Sequence, residues 1–196
     1  MKTGNGKRET GKIFVISAPS GCGKTTLLKR LLKDKSLRLV HSVSMTSRPP
    51  RGDERNGLDY HFVSEGLFRG KIKKGSFLEW EENFGNLYGT PREFVESAFK
   101  KKKNVLLSID VKGAMNIRSA YPEKTVLIFI LPPSLKALKE RLKKRKTDDE
   151  YVISERLRIA RKEMGYKERY DYSVVNDNLG KAYERLKEII LSELKH

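Results

Sequence analysis

The sequence predicts an α/β fold, a doubly wound parallel sheet interrupted by a small, mostly antiparallel lobe. Three observations predict it. Apolar, β-branched runs at Ile13–Ser17, 105–110 and Thr125–Leu131 read as strands buried on both faces, as parallel strands are. Segments with apolar residues at helical spacing separate them and supply the crossovers a parallel sheet needs. Between residues 44 and 90 the pattern changes to short alternating runs and tight turns, which read as hairpin structure. The 196 residues suit one domain with a sizeable core, and neither a repeat nor a long linker divides them.

The first strand runs into Ala18-Pro19-Ser20-Gly21-Cys22-Gly23-Lys24-Thr25, and Leu27, Leu28, Leu31 and Leu32 follow at helical spacing. Strand, glycine-rich turn and helix, in that order, form the context of a phosphate-binding loop. Gly21 and Gly23 let the backbone aim its N–H groups inward, making an anion-sized nest at the positive end of a helix. Lys24 is expected to reach the β- and γ-phosphates, and the Thr25 hydroxyl to ligate Mg²⁺. Ala18 stands where the strict pattern has Gly, and a negative φ accommodates it. Cys22 lies inside this loop. It is either a thiol activated by the helix terminus and Lys24, or a small residue filling a tight turn. In both cases a bulky adduct there is expected to obstruct the phosphates.

Residues 37–43 read as a second strand. The next stretch, 44–57, is rich in turn formers and hydroxyls and reads as a loop. It carries Arg48, Arg51 and Arg55, whose guanidinium forks match phosphate oxygens two at a time, although solvated loop arginines are the plainer alternative. Residues 59–63 alternate like a strand. Ser64 can cap a short helix carrying Leu67, Phe68 and Ile72, and Gly75 marks its end. Residues 77–84 and 87–90 read as strands joined through Gly85 and Asn86. Glu79 sits within a hydrophobic strand, and Tyr60 and Tyr88 fall on neighbouring ones.

Residues 91–103 read as a helix with Pro91 in its first turn. Residues 105–110 form a buried strand ending in Asp110, the position of an Mg²⁺-holding Asp in many phosphate-loop enzymes. A short helix over 112–119 precedes the strand Thr125–Leu131. Pro132, Pro133 and Ser134 start a helix to about Lys146, with Leu135, Leu138 and Leu142 on one face. Thr147 to Glu150 is a capping signature for a helix to about Arg169. A last strand at Tyr172–Val175, ending before Asn176 and Asp177, leads to a closing amphipathic helix over 179–194.

The formal net charge of +17 attracts phosphates, so a nucleic-acid binder is one class to weigh. The densest run, Lys100 to Lys103, ends a helix where cations are favoured, and no aromatic residues interleave with it as a single-strand groove would require. A lysine-rich solvated surface is the expected reading, and a specific nucleic-acid partner is not expected. One cysteine excludes a disulfide framework, and the polar, basic N-terminus has no apolar segment of a signal peptide. Without a membrane-length apolar run, a cytoplasmic, soluble chain is expected.

The ordered motifs SAPSGCGKTT, SVSMTSRPPRGDERNGLDYHFV, FLEWEENFGNLYGTP, LSIDVKGA, FILPPS, RLKKR and VVND resemble those of the guanylate kinase family, over residues 12–193. The phosphate loop is generic, whereas the arginine-rich stretch, FLEW and LYGTP are specific. The resemblance implies a nucleoside monophosphate kinase of purine metabolism, with ATP as donor, Mg²⁺ as cofactor and GMP, and by extension dGMP, as acceptor. It implies that residues 18–26, through Thr26, hold ATP, that Arg48, Arg51, Tyr60 and Tyr88 hold the GMP phosphate, and that Ser44, Glu79, Thr90 and Asp110 read guanine. It assigns Arg141 and Arg145 to a helical lid over about 139–170, brings Arg156 to the ATP phosphates and sets Asn176 near adenine. Thr25 and Asp110 are the implied Mg²⁺ residues, and Lys24, Arg48, Arg141, Arg145 and Arg156 the implied catalytic ones. The implied division is a core of 12–43 and 91–196, an inserted GMP-binding lobe of 44–90, and a flexible tail of 1–11.

Elementary chemistry agrees with the assignment of Glu79. Guanine offers a ring N–H beside an exocyclic amino group, and one ionised carboxylate accepts from both. Adenine puts a lone pair in the same place. The family pattern is broken at Ser108, where a carboxylate is usual, at Lys112, where Gln is, and at Lys146, where Gly is. Two other classes are a non-catalytic module that binds peptides in the nucleotide cleft and a kinase for another monophosphate. Intact Lys24, Thr25, Arg48, Arg141 and Arg145 speak against the first.

Overall fold

A computed structural model describes residues 11–83, 85–144 and 149–195. The first ten residues of the expected tail, Phe84, Arg145, Lys146, Thr147 and Asp148 lie outside the described residues. The core starts one residue before the expected boundary. Gly11 is buried against Lys103, and the Lys12 N–H donates to Asn104 Oδ1 at 3.0 Å.

The main sheet contains β1 (Ile13–Ser17), β2 (Leu39–His41), β7 (Asn104–Ser108), β8 (Thr125–Leu131) and β9 (Tyr172–Val175). Their order is β2-β7-β1-β8-β9, and every pair is parallel. The central strand β1 is buried along its whole length, which is why its sequence shows no alternation. Helices α1 (Lys24–Lys33), α5 (Leu135–Lys144) and α7 (Leu179–Glu193) pack Leu27, Leu31, Leu138, Leu142, Leu186 and Ile190 onto one face. Helices α3 (Arg92–Lys100) and α4 (Val111–Ala120) pack Val95, Ala98, Ala114 and Ile117 onto the other, so the sheet is covered on both sides as expected. Helix α6 (Glu150–Met164) supplies Ile153 and Ala160 to the first cluster and Met164 to the second.

The inserted region forms a second sheet, with β3 (Met45–Thr46), β4 (His61–Phe62), β5 (Phe77–Asn83) and β6 (Asn86–Pro91) in the order β4-β3-β6-β5. Two of its pairings are antiparallel, and β3 with β4 is parallel. Helix α2 (Glu65–Lys73) closes a small core in which Phe68 stacks on Phe77 at 4.4 Å. Ser64 caps α2 by accepting from the Leu67 N–H, as its sequence predicts.

Several boundaries differ from expectation for identifiable reasons. The second strand is three residues long, because 35–37 form a 3₁₀ turn capped by Asp34. The stretch read wholly as loop contains β3, held by pairing to its neighbours and by Thr46 Oγ1 donating to the Leu87 carbonyl at 2.9 Å. The strand expected to run to Asp110 ends at Ser108, because Asp110 caps α4. Asp149 caps α6, accepting from the Val152 N–H at 2.8 Å, and α6 stops at Met164 before a 3₁₀ turn over 167–169.

Candidate functional site

The site lies at the C-terminal ends of β1 and β7, where an open parallel sheet leaves its ligand crevice. The turn after β1 requires glycine twice: Gly21 has φ +93° and Gly23 has φ +82°, in the left-handed region. Both are also crowded. A Cβ at Gly21 would lie 2.9 Å from Leu138, and one at Gly23 would lie 2.5 Å from Asn176 Nδ2. The loop is thus wedged between α5 and the end of β9.

Asn176 is the clamp. It is buried, and its side-chain amide donates to the Cys22 carbonyl at 2.7 Å. Beside the expected place near adenine, Asn176 thus has a structural role of its own, holding the loop from behind. Arg141, expected over the ATP phosphates, donates through Nη2 to the Asn176 carbonyl at 2.8 Å and supports the same corner. Arg145 lies outside the described residues. Arg156 does reach the loop, with Nη1 3.1 Å from Ser20 Oγ. Of the two readings of Cys22, the structure agrees with the small residue filling the turn, since the side chain is buried in the main apolar cluster.

Lys24 opens α1 and is partly buried. Burial pushes its ammonium below the ordinary lysine value, opposed by the charges of Glu163 and Asp110. Burial pushes the Glu163 carboxyl up to about 7, with Lys24 pulling it back down. Asp110 Oδ1 accepts from the Gly113 N–H at 2.9 Å, so one oxygen of this expected guanine and Mg²⁺ residue serves the helix cap. Ser17 Oγ donates to the Ile109 carbonyl at 2.8 Å and ties the ends of β1 and β7 together. The buried Tyr170, packed edge-on to Phe129, lies beside Ser17, and burial raises its phenol above the usual value.

A cleft of about 1090 Å³ runs from this corner to the second sheet. Thr25, His41, Ser44, Arg51, Glu54, Tyr60 and Ser108 are among its walls, so the structure brings the phosphate loop and part of the arginine-rich stretch to one space. Lys112, the second departure from the family pattern, stays at the surface, 3.8 Å from Glu81. Arg48 is buried behind that wall. Its Nη2 donates to both Glu54 oxygens at 2.9 Å, its Nη1 donates to the Pro49 carbonyl at 2.6 Å, and its Cζ lies 5.4 Å from the Tyr60 ring. Tyr60 and Tyr88 pack edge to face at 6.0 Å, and Tyr88 lies close enough to Arg48 to favour its charged form.

Glu79, Thr90 and Asp110 gather at the junction of β5, β6 and α4. Glu79 is buried and its Oε1 accepts from Thr90 Oγ1 at 2.5 Å. Burial pushes its carboxyl up to about 7, with Asp110 and Glu81 adding to the rise and the Thr90 hydrogen bond opposing it. Gly113 lets α4 approach: a Cβ there would lie 2.8 Å from Glu79 Oε2. Sequence reasoning missed Glu54, Gly113, Glu163 and Tyr170. For Gly113 a signal existed, since a glycine in the first turn of a helix is unfavourable unless something comes close.

Among the described residues no group of three or more His, Cys, Asp and Glu could hold a metal ion on protein ligands alone. The Thr25 hydroxyl at the cleft wall and the Asp110 carboxylate are hard oxygen donors of the kind Mg²⁺ takes alongside phosphate oxygens and water. No helix among the described residues is long and apolar enough to cross a membrane.

Comparison with known proteins agrees with this arrangement. The guanylate kinase family model matches residues 10–193. A guanylate kinase from Nitrosomonas europaea is 47% identical over 181 residues, covering 92% of this chain and 89% of that one. Another from Porphyromonas gingivalis is 44% identical over 180 residues, covering 91% and 96%. The crystal structure of guanylate kinase from Anaplasma phagocytophilum superposes with a TM-score of 0.79 at 35% identity, over 94% of this chain and 86% of that chain.

Proposed function

The chain belongs to the guanylate kinase family, and we propose from that premise how its own residues move a phosphoryl group from ATP to GMP. The activity is that of a nucleoside monophosphate kinase: ATP and GMP give ADP and GDP. Residues 18–26 cradle the ATP phosphates, with Lys24 on the transferred group. Residues 44–90 hold the acceptor. Arg48, Arg51, Tyr60 and Tyr88 take its phosphate, and Glu79, with Ser44, Thr90 and Asp110 around it, takes the guanine edge. The region 139–170 closes over ATP, with Arg156 on the loop and Arg141 bracing it from behind.

The observation that carries this reading is that one cleft is lined both by Thr25 and by Ser44, Arg51 and Tyr60. Two nucleotides laid along it meet phosphate to phosphate. Such a transfer asks the protein mainly to position and to neutralise charge. No strong base is needed, because the acceptor oxygen is already anionic. Arg156, Lys24 and the loop's N–H groups neutralise the donor, and the arginines of the lobe neutralise the acceptor. Mg²⁺, held by Thr25 and the phosphates with Asp110 in its surroundings, would neutralise the developing charge between them. Closure of the lobe and lid would exclude water, which otherwise competes as acceptor.

A coupled assay of ADP release with ATP and each of GMP, AMP, CMP and UMP tests the reading. Turnover with GMP at least a hundredfold above the others is the expected result. Comparable turnover with AMP would sink the assignment of Glu79, and no turnover with any of the four would sink the whole reading.

A further inference from the structure

We propose that Glu54 is an internal anion that occupies the acceptor-phosphate seat and must give it up when GMP binds. The proposal rests on the function proposed above and adds a residue to it. Arg48 shows why. A guanidinium grips an oxyanion with two prongs either end-on, through Nη1 and Nη2, or side-on, through Nε and Nη2. Both grips use Nη2. In this structure Nη2 gives hydrogen bonds to both oxygens of Glu54, each at 2.9 Å, and Nη1 is engaged with the Pro49 carbonyl. Neither two-pronged face of Arg48 is open to a phosphate while Glu54 remains.

The rest of the seat surrounds the same carboxylate. The Arg51 N–H donates to Glu54 Oε2 at 2.8 Å, and Tyr60 and Tyr88 pack beside Arg48. A carboxylate and a phosphate offer a guanidinium the same paired oxygen edge, so one can stand in for the other. Glu54 also has a way out. It lies on the cleft wall with its side chain 27% exposed, on a turn where its own N–H donates to the Arg51 carbonyl and Gly52 adopts φ +49°. Swinging to solvent requires no strand to move. Arg48, with its side chain 6% exposed, has no such freedom and stays as the fixed half of the seat.

In a chain of net charge +17, a seat of uncompensated cations would repel itself and collect any passing anion. The internal carboxylate holds Arg48 in gripping geometry and yields only to a ligand that brings more charge and further contacts. Its consequence is that the acceptor binds more weakly than the seat alone would allow.

Calorimetric titration of wild type, Glu54→Gln and Glu54→Ala with GMP and with guanosine tests this, alongside steady-state kinetics. With the competing anion removed, GMP should bind roughly two- to fivefold tighter, the scale of one partly exposed ion pair. Guanosine, which lacks the phosphate, should bind as to wild type. The KM for GMP should fall in step while that for ATP stays fixed, a split that general loosening of the lobe would not produce. Should Glu54→Ala fail to fold, the near-isosteric Glu54→Gln decides alone. Weaker GMP binding to Glu54→Gln would overturn the proposal and make Glu54 a permanent brace for Arg48, and unchanged binding would overturn it as well. A wild type that binds no GMP would overturn the proposed function instead.

Discussion

Glu79 is expected to make GMP binding release a proton. In this structure its carboxyl is pushed up to about 7, mainly by burial, with Asp110 and Glu81 adding to the rise. Reading the two guanine donors requires the ionised form. With a pKa near 7, about one tenth of the group is ionised at pH 6 and about nine tenths at pH 8. GMP should therefore bind about tenfold more weakly at pH 6 than at pH 8, or about 1.4 kcal/mol. Calorimetric titration at the two pH values, in buffers of different ionisation enthalpy, counts the released proton directly. The phosphate of GMP titrates near pH ~6 as well, so Glu79→Gln supplies the subtraction. In that variant the amide N–H₂ opposes a guanine donor, weakening GMP by about 1–3 kcal/mol for each misplaced group, and the extra proton should disappear. Equal proton release from wild type and variant would refute the assignment of Glu79 as the guanine reader.

The same shift fixes the sign of a stability effect. A carboxyl whose folded pKa lies above its ordinary 4.5 holds a proton that the unfolded chain releases. Glu79 therefore lowers the stability of the empty protein as pH rises from about 4.5 through about 7, by a few kcal/mol at most. Glu79→Gln should accordingly melt higher than wild type at pH 8 and close to it at pH 5. The substitution that harms GMP binding stabilises the empty fold, which separates a functional carboxylate from a structural one.

Lys24→Ala should leave the melting temperature unchanged, since burial already disfavours this ammonium in the empty protein, and should lower turnover on the order of 10²–10³-fold; near-normal ADP release from the folded variant would contradict its role. Gly113→Ala should raise the KM for GMP about tenfold with that for ATP unmoved, because its Cβ would fall 2.8 Å from Glu79 Oε2 and push the carboxylate aside; equal effects on both substrates would count against the close approach. Iodoacetamide should label Cys22 far more slowly in the native protein than in denaturant, bound ATP should slow it further, and the adduct should inactivate; full activity in stoichiometrically labelled protein would refute this.

How much of this was readable from the sequence depended on whether a residue's role is local. The bounds of Ile13–Ser17, Thr125–Leu131 and Tyr172–Val175 came out as expected because each is a short β-rich run stopped by a turn former. Met45–Thr46 did not, because two residues among serines and prolines carry no period, and it is their partners that make them a strand. The helix-capping role of Asp110 lost to a motif reading, although an Asp followed by a helical segment signals a cap just as well. In the site, residue types were readable and directions were not. Asn176 and Arg141 belong to the phosphate-loop corner, yet both face the protein, bracing the loop through backbone carbonyls. Glu54 and Glu163 gain meaning only from the cations the fold sets against them.

Those two carboxylates bear on how the site discriminates. Two of the cations expected to grip phosphates meet an internal anion: Arg48 bonds Glu54, and Lys24 feels the charge of Glu163. An arriving phosphate then exchanges one anionic partner for another, and the gain is only the difference between them. Phosphate contacts thereby hold substrates in line without binding every phosphorylated metabolite tightly. Among the described residues no internal group mimics the guanine edge in the same way. Thr90 satisfies one oxygen of Glu79, and burial holds the carboxyl near neutrality until two adjacent donors arrive together. Only a ligand bringing both donors recovers the cost of ionising that carboxylate. On the proposed role of Glu79, selectivity for GMP would rest on the buried acid of β5 more than on the +17 surface charge that first suggests an affinity for phosphate.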